Sequence, residues 1–481
     1  MNSVKPMIPT PVTLTLRCIR LTTAIGAALL VSACASTFNG PYQSPALTIP
    51  AQYSQGNAAS VTGVAVPSAS GTLWWMRFND PELDRLVAEV LQSNNNLAAA
   101  AIRVRRAQLL AGLADNNLQP RFGGSVGTGT SLPLQAGAVS TPSSSVSLGA
   151  AYEVDLWNRL GSLRDVARWE ALATEQDRQS TALTLVATTA ALYWQVGFLN
   201  QRLAANAESI AYAQTTFNLV QAQYRAGAVS GLEVAQAQQT LASQQAGQSA
   251  LQQLAVEART ALGLLMDGPP APDLTNPTTL PTLALPLVDA GVPAALLGRR
   301  PDLRAAELRL RGSFTGIDAT RASYYPAFSL TGSLGSSSAQ LGSVLQNPVA
   351  ALGLGVTLPF LQRTTMQLSI RVSETQYEEA VVNFRQTLYT ALGDVENALS
   401  SRQQLAQQGA RLEETLQGAL TAERLYEVRY RAGAATLILW LDAQEKRRTA
   451  DIALATNRLA RLNNQVTVYK ALGGDAALTA P

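Results

Sequence analysis

Two stretches of the chain alternate apolar and small polar residues with a period of two. Phe328, Leu330, Gly332 and Leu334 interleave with Ser329, Thr331, Ser333 and Gly335. Leu352, Leu354, Val356, Leu358 and Phe360 alternate with small residues, and so do Val146, Leu148, Ala150, Tyr152, Val154 and Leu156. Period two places one residue set on each face of a strand. Both stretches also lack charge. Residues 122–152 and 322–362, which are 31 and 41 positions long, contain no Asp, Glu, Lys or Arg in a chain that is 14% charged. Each predicts two strands of ~10–14 residues joined by a Ser/Gly/Pro/Gln-rich loop, the length and alternation of a transmembrane β-hairpin. The hairpins are placed at about 121–157 and 326–361. Tyr152, Trp157, Tyr324, Tyr325 and Phe360 near the ends fit interfacial aromatic girdles.

The rest reads as helix. Proline is absent from 162–225 and from 363–431, so each run of about 65 residues predicts a helix roughly 100 Å long at 1.5 Å per residue. Leu405, Leu412, Ala419 and Tyr426 mark a narrow heptad-like seam on a Gln- and Ala-rich surface. Ala-Gly at 226–227 and 432–433 predicts tight turns, with returning helices at about 230–265 and 436–471. Shorter helices precede the hairpins, at about 81–118 and 301–322. The stretch 179–201 has no charge, but its threonines and amphipathic flanks predict a buried part of a longer helix rather than a membrane span.

This order occurs twice. At an offset of 206, Leu97 matches Leu303, Arg103 and Arg105 match Arg309 and Arg311, and Pro120 and Phe122 match Pro326 and Phe328. Tyr-Arg-Ala-Gly-Ala at 224–228 recurs at 430–434, and Ala237-Gln238 recurs as Ala443-Gln444. A constant register over so many positions predicts two structural copies. The predicted organisation is a signal at 1–33, an extended segment at 34–79, repeat one at 80–267, a proline-rich linker at 268–293, repeat two at 294–473 and a tail at 474–481.

The N-terminus supplies the compartment. Lys5, Arg17 and Arg20 precede an apolar run ending Leu30-Val31-Ser32-Ala33-Cys34. This is a signal-peptide pattern, and its end resembles the lipobox of bacterial lipoproteins. That resemblance implies cleavage after Ala33, with S-diacylglycerol and an N-acyl group on Cys34. Ala35, where an aspartate would suggest inner-membrane retention, points to the outer membrane. Cys18 would leave with the signal, so no internal disulfide is possible. Removing three of 36 basic residues leaves 33 against 33 acidic, a neutral chain with no bias toward nucleic acid.

Catalytic chemistry finds no foothold. The chain has no histidine, so the commonest general base and metal ligand is missing. There is no phosphate loop and no nucleophile paired with a base. Glu378-Glu379 and Glu413-Glu414 read as solvated helix faces. The expectation is a non-enzyme without a cofactor beyond the lipid.

Four strands cannot cross a membrane alone, because open sheet edges leave backbone groups unpaired in lipid at several kcal/mol each. Closure takes at least eight strands. Two chains would give a barrel filled by side chains, and three give twelve strands that can leave a lumen. The small polar face favours the lumen.

Trp74 to Pro81, Tyr152 to Trp157, Arg299 to Glu307 and the two Tyr-Arg-Ala-Gly turns resemble the TolC/OprM-like outer-membrane efflux family, in its lipoprotein (NodT-type) branch. The resemblance implies an α+β membrane protein: a homotrimer with a twelve-stranded β-barrel continued by a long periplasmic α-helical barrel. It implies a periplasmic adaptor (membrane fusion protein) and an inner-membrane RND-type pump as partners, with this chain a passive duct in outer-membrane lipid. It places the periplasmic tip at 224–234 and 430–442. There Arg225, Gly227, Arg431 and Gly433 would meet the adaptor, and Tyr430, Asp442 and Glu233 would constrict the entrance. Glu233 and Asp442 read equally as solvated helix charges. Leu439 and Ala435 depart from positions that are acidic or arginine in some members. A protein-secretion duct, or a non-pore adaptor or structural lipoprotein, are the alternative functions.

Overall fold

A computed structural model of the chain describes residues 40–54, 73–135, 137–267, 277–281, 285–286, 288, 291 and 293–474. The signal at 1–33, Cys34 and much of the 268–293 linker lie outside the described residues. Helices α1 (Pro81–Ser93) and α2 (Asn95–Asn116) lead into strands β1 (Arg121–Ser131) and β2 (Thr141–Val154). Helices α3 (Arg159–Arg225, 67 residues) and α4 (Gly231–Gly263) complete the first copy. The second copy repeats the order as α5 (Pro301–Ala322), β3 (Ala327–Ser338), β4 (Pro348–Thr357), α6 (Arg363–Arg431, 69 residues) and α7 (Leu437–Ala471).

One helix was expected over 81–118, and the structure has two. Asn94 is extended, at φ −67° and ψ 123°, and buried. Its Oδ1 accepts from the Leu97 amide at 3.1 Å and its Nδ2 donates to the Leu265 carbonyl at 2.7 Å. An asparagine that caps the following helix competes with helix continuation.

The chain divides into two compact units. The first holds the described residues 40–46, 105–172 and 307–383. Its centre is one antiparallel sheet in the order β1-β2-β3-β4. The register aligns Gly124, Leu148, Leu334 and Ala350 across all four strands. The hydrophobic pattern and register therefore agree, and a one-residue slip would exchange the faces. The strand-to-helix junctions are fastened by side chains. Asp155 accepts from the Leu160 and Gly161 amides at 3.0 and 2.8 Å, capping α3. Trp157 donates its Nε1–H to the Pro326 carbonyl at 2.8 Å and lies 5.0 Å from the Tyr325 ring. Tyr42 meets Phe314 edge-on at 5.8 Å, under the Arg311 guanidinium at 5.2 Å.

The second unit holds the described residues of 47–104, 173–306 and 384–481. Asp80 caps α1 by accepting from the Glu82 and Leu83 amides at 3.1 and 3.2 Å, with Pro81 in the first turn. Trp74 stacks on Tyr469 at 5.0 Å, and Phe78 meets Trp194 at 4.8 Å. The charge-free part of α3 enters the same core through Val186, Ala190, Trp194 and Leu199, all buried. It is a core segment, as its sequence implied. Arg300 pairs with Asp302 at 2.6 Å and Asp394 at 3.2 Å, so the Arg-Arg-Pro-Asp stretch starts α5 and also ties it to α6. The Gln465 amide donates to the Pro286 carbonyl at 2.7 Å and holds the linker.

Candidate functional site

Two places can act on a solute or partner: the two-faced sheet of the first unit and the paired helix turns of the second. One sheet face carries Phe122, Val126, Leu148, Leu330, Leu334, Leu352 and Leu354, all exposed. The other carries Gly123, Ser125, Ser147, Thr331, Ser333, Gly353 and their small neighbours. Its hydroxyls bond across strands, as Ser125 Oγ with Ser147 Oγ at 2.9 Å. Apolar side chains facing outward in such number, over 10–14 residue strands, require a nonpolar surrounding. The small polar face leaves room for water. Strands β1 and β4 are the sheet edges, each with one unpaired side within this chain.

The two turns share one backbone device. Ala228 N–H donates to the Gln223 carbonyl at 2.9 Å and Gly227 N–H to the Tyr224 carbonyl at 3.0 Å. In the second copy Ala434 donates to Arg429 at 2.8 Å and Gly433 to Tyr430 at 3.0 Å. This double closure needs a left-handed residue, and Gly227 and Gly433 have φ of 72° and 70°. Arg225 and Arg431 end the helices before these turns and are exposed. Arg225 donates to Gln221 Oε1 at 3.2 Å, and Arg431 pairs with Glu427 at 2.7 Å.

Glu233 closes a capping box with Ser230, accepting from the Ser230 amide at 2.9 Å. The Ser230 hydroxyl bonded to it holds its carboxyl below the usual range. Tyr430 is 8% exposed, stacks on Trp440 at 5.2 Å and donates its hydroxyl to Gln223 Oε1 at 2.7 Å. Burial, then the nearby Glu233 carboxylate, raises its pKa. Tyr212 meets Trp440 edge-on at 6.1 Å and donates to Glu427 Oε2 at 3.1 Å. Burial, then Glu427, pushes its hydroxyl up to about 12. Asp442 stands on the exposed side of α7 and pairs with Lys446 at 2.8 Å, which raises the lysine. Tyr430 and Glu233 are thus near each other, whereas Asp442 is engaged along its own helix. Leu439 is exposed and Ala435 half-buried.

Sequence reading missed Trp440, Tyr212 and Gln223, which complete the packing around Tyr430. Trp440 could have been found from its match with Val234 at the 206-residue offset, since only the second copy has a ring there. Above the turns, a cleft of about 1050 Å³ lies among α3, α4, α6 and α7, lined in part by Arg202, Glu423 and Arg447. Burial raises the Glu423 carboxyl, opposed by Arg447 at 2.8 Å. Among the described residues no group of three or more His, Cys, Asp or Glu could hold a metal ion.

Comparison with known proteins agrees with this geometry. A family model described as outer membrane efflux protein matches residues 86–268 and 292–474. The pyoverdine export outer membrane protein OpmQ of Pseudomonas aeruginosa is 32% identical over 460 residues, 94% of this chain and 96% of that protein. Toxin and drug export protein A of Aggregatibacter actinomycetemcomitans is 31% identical over 404 residues, covering 83% and 88%. The open state of the Neisseria gonorrhoeae MtrE outer membrane channel superposes with a TM-score of 0.77 at 27% identity, over 91% of this chain and 98% of that one.

Proposed function

The chain belongs to the outer membrane efflux protein family, and from that premise we propose that it is the outer-membrane channel of a tripartite efflux system. Three chains close their sheets edge to edge, β1 of one against β4 of the next, into a twelve-stranded barrel. The apolar faces turn to lipid and the Gly/Ser/Thr faces line the lumen. The helices continue as a periplasmic duct. A periplasmic adaptor engages the turns at Arg225–Gly227 and Arg431–Gly433, and an inner-membrane RND-type pump supplies the energy and chooses the drugs or other small molecules. Tyr430, Glu233 and Asp442 form the constriction at the tip, and a lipid on Cys34 adds anchoring.

The observation that carries this reading is the two-faced sheet with two open edges. Unpaired backbone in hydrocarbon costs several kcal/mol per group, so the edges must find partners. Pairing with identical chains closes a ring. Purified protein in planar bilayers should give discrete conductance steps and migrate on gels as a heat-modifiable oligomer. A verified trimer that never conducts, even with the tip opened by substitution, would defeat the channel. The Aggregatibacter relative is named a toxin and drug export protein, which supports a duct for toxins, polypeptides among them, as a second reading. Export of a folded or unfolded polypeptide from cells expressing the channel with its pump would support it. Cys34→Ala should abolish palmitate labelling, and persistent labelling would remove the anchor.

A further inference from the structure

The lumen face of the barrel section carries almost no charge, and the exception is one-sided. On that face every residue between Gly123 and Ala151, and between Ser329 and Thr357, is uncharged. The charged groups sit at the helix-side end. Arg121 opens β1 opposite Ala151, in line with Gly123 and Ser125. Glu153, next to last in β2, lies on the same face. Arg159 donates to its carboxylate from Nη2, to both oxygens at 2.6 and 2.7 Å, and from Nε, to Oε1 at 3.0 Å, a charge-assisted pairing. Asp155 is turned onto the Leu160 and Gly161 amides at the positive end of α3. Neither acid is free for Arg121. The guanidinium is exposed and donates to Asn117 Oδ1, a neutral acceptor, at 2.6 Å, and has no acidic partner among the described residues. Arg363, which begins α6 just after the second charge-free stretch, likewise has none among them.

We propose that Arg121 forms a positively charged collar at the helix-side mouth of the barrel and favours anionic solutes, those bearing carboxylate or phosphate groups, at that point. This rests on the barrel reading above, in which the Gly/Ser/Thr face lines the lumen. Ring closure then repeats Arg121 once per chain at one level of the lumen. The uncharged strands beyond it contribute no opposing field. Charges near a water-filled path act at short range and are screened by salt, so the collar is felt at the mouth and weakens as ionic strength rises.

The test is the reversal potential of the full-length assembled channel in planar bilayers under a potassium chloride gradient. Arg121→Gln should lower the chloride-to-potassium permeability ratio by about twofold at low salt, as expected for removing a charge lying several ångströms from the path. Arg121→Glu should lower it further. Arg121→Lys, which keeps the charge and loses the planar fork, should match the wild type. The shift should shrink in high salt. Conducting Gln and Glu variants with the wild-type reversal potential at both salts would overturn the collar, as would a Lys variant that shifts as far as Gln. A wild-type assembly that does not conduct at all would instead defeat the channel reading beneath it.

Discussion

The two helix turns are the same in backbone and different in side chain. Both read Tyr-Arg-Ala-Gly-Ala, and both close with the same pair of hydrogen bonds around a glycine near φ 70°. Yet Tyr224 is 51% exposed where its counterpart Tyr430 is 8% exposed. The cause lies one turn into the returning helix. Trp440 and Leu437 give the second copy a ring and a buried side chain to pack on Tyr430, where the first copy has Val234 and Gly231. The first copy fixes its turn locally through Ser230 and Glu233. The second has Thr436 with no side-chain cap bond and Leu439 in place of the glutamate. Duplication preserved the fold of the turn, and a few substitutions decided whether it is held by its cap or by its neighbours.

The comparison can be broken most strongly at Trp440. Trp440→Ala should cost ~3–5 kcal/mol of local stability, read as much faster trypsin cleavage at Arg429 and Arg431 with Arg225 nearly unchanged. Val234→Ala in the first copy should cost ~1 kcal/mol. Equal effects from the two would mean the turns are held alike. Next comes the cap. Ser230→Ala should loosen the first turn by ~1 kcal/mol, about fivefold in cleavage at Arg225, while Thr436→Ala leaves the second turn unmoved. Tyr430→Phe should cost ~1 kcal/mol by leaving Gln223 without its donor, whereas Tyr224→Phe should fall within ~0.5 kcal/mol of zero.

The smallest effect is one of pH. The Glu233 carboxyl lies below its usual value when the cap is formed. Its contribution is therefore complete above the ordinary carboxylate range and is lost as pH falls through the lowered value. Hydrogen exchange at the Ser230 amide, corrected for intrinsic rate, should accelerate only under that acidification. The Thr436 amide should show no matching step, and a parallel step at both would erase the distinction.

Much of this was readable from sequence because it depends on periodicity. The strands follow from alternation within charge-free stretches, and the long helices from the absence of proline. The turns follow from Ala-Gly at matching positions. Asn94 was not readable as a break, because an asparagine inside an apolar helical pattern signals nothing until its side chain is seen to cap Leu97. The division of labour between Tyr224 and Tyr430 does not show in the turns, whose sequences are identical, and its sign in the sequence is Trp440 standing where the first copy has Val234. It depends on rings brought together from Tyr212, Tyr430 and Trp440. The exposed cation at Arg121 was hidden, since only the geometry shows Glu153 committed to Arg159.

The sheet's two open edges have a genetic consequence. If three chains close one ring, as proposed, a chain that supplies a third of it cannot be defective privately. Coexpression of equal amounts of normal chain and a variant that pairs at β1 and β4 but blocks the lumen would leave only about one ring in eight wholly normal, given random three-chain assembly. Such alleles should be dominant, and those that spoil an edge, and so never enter the ring, should be recessive.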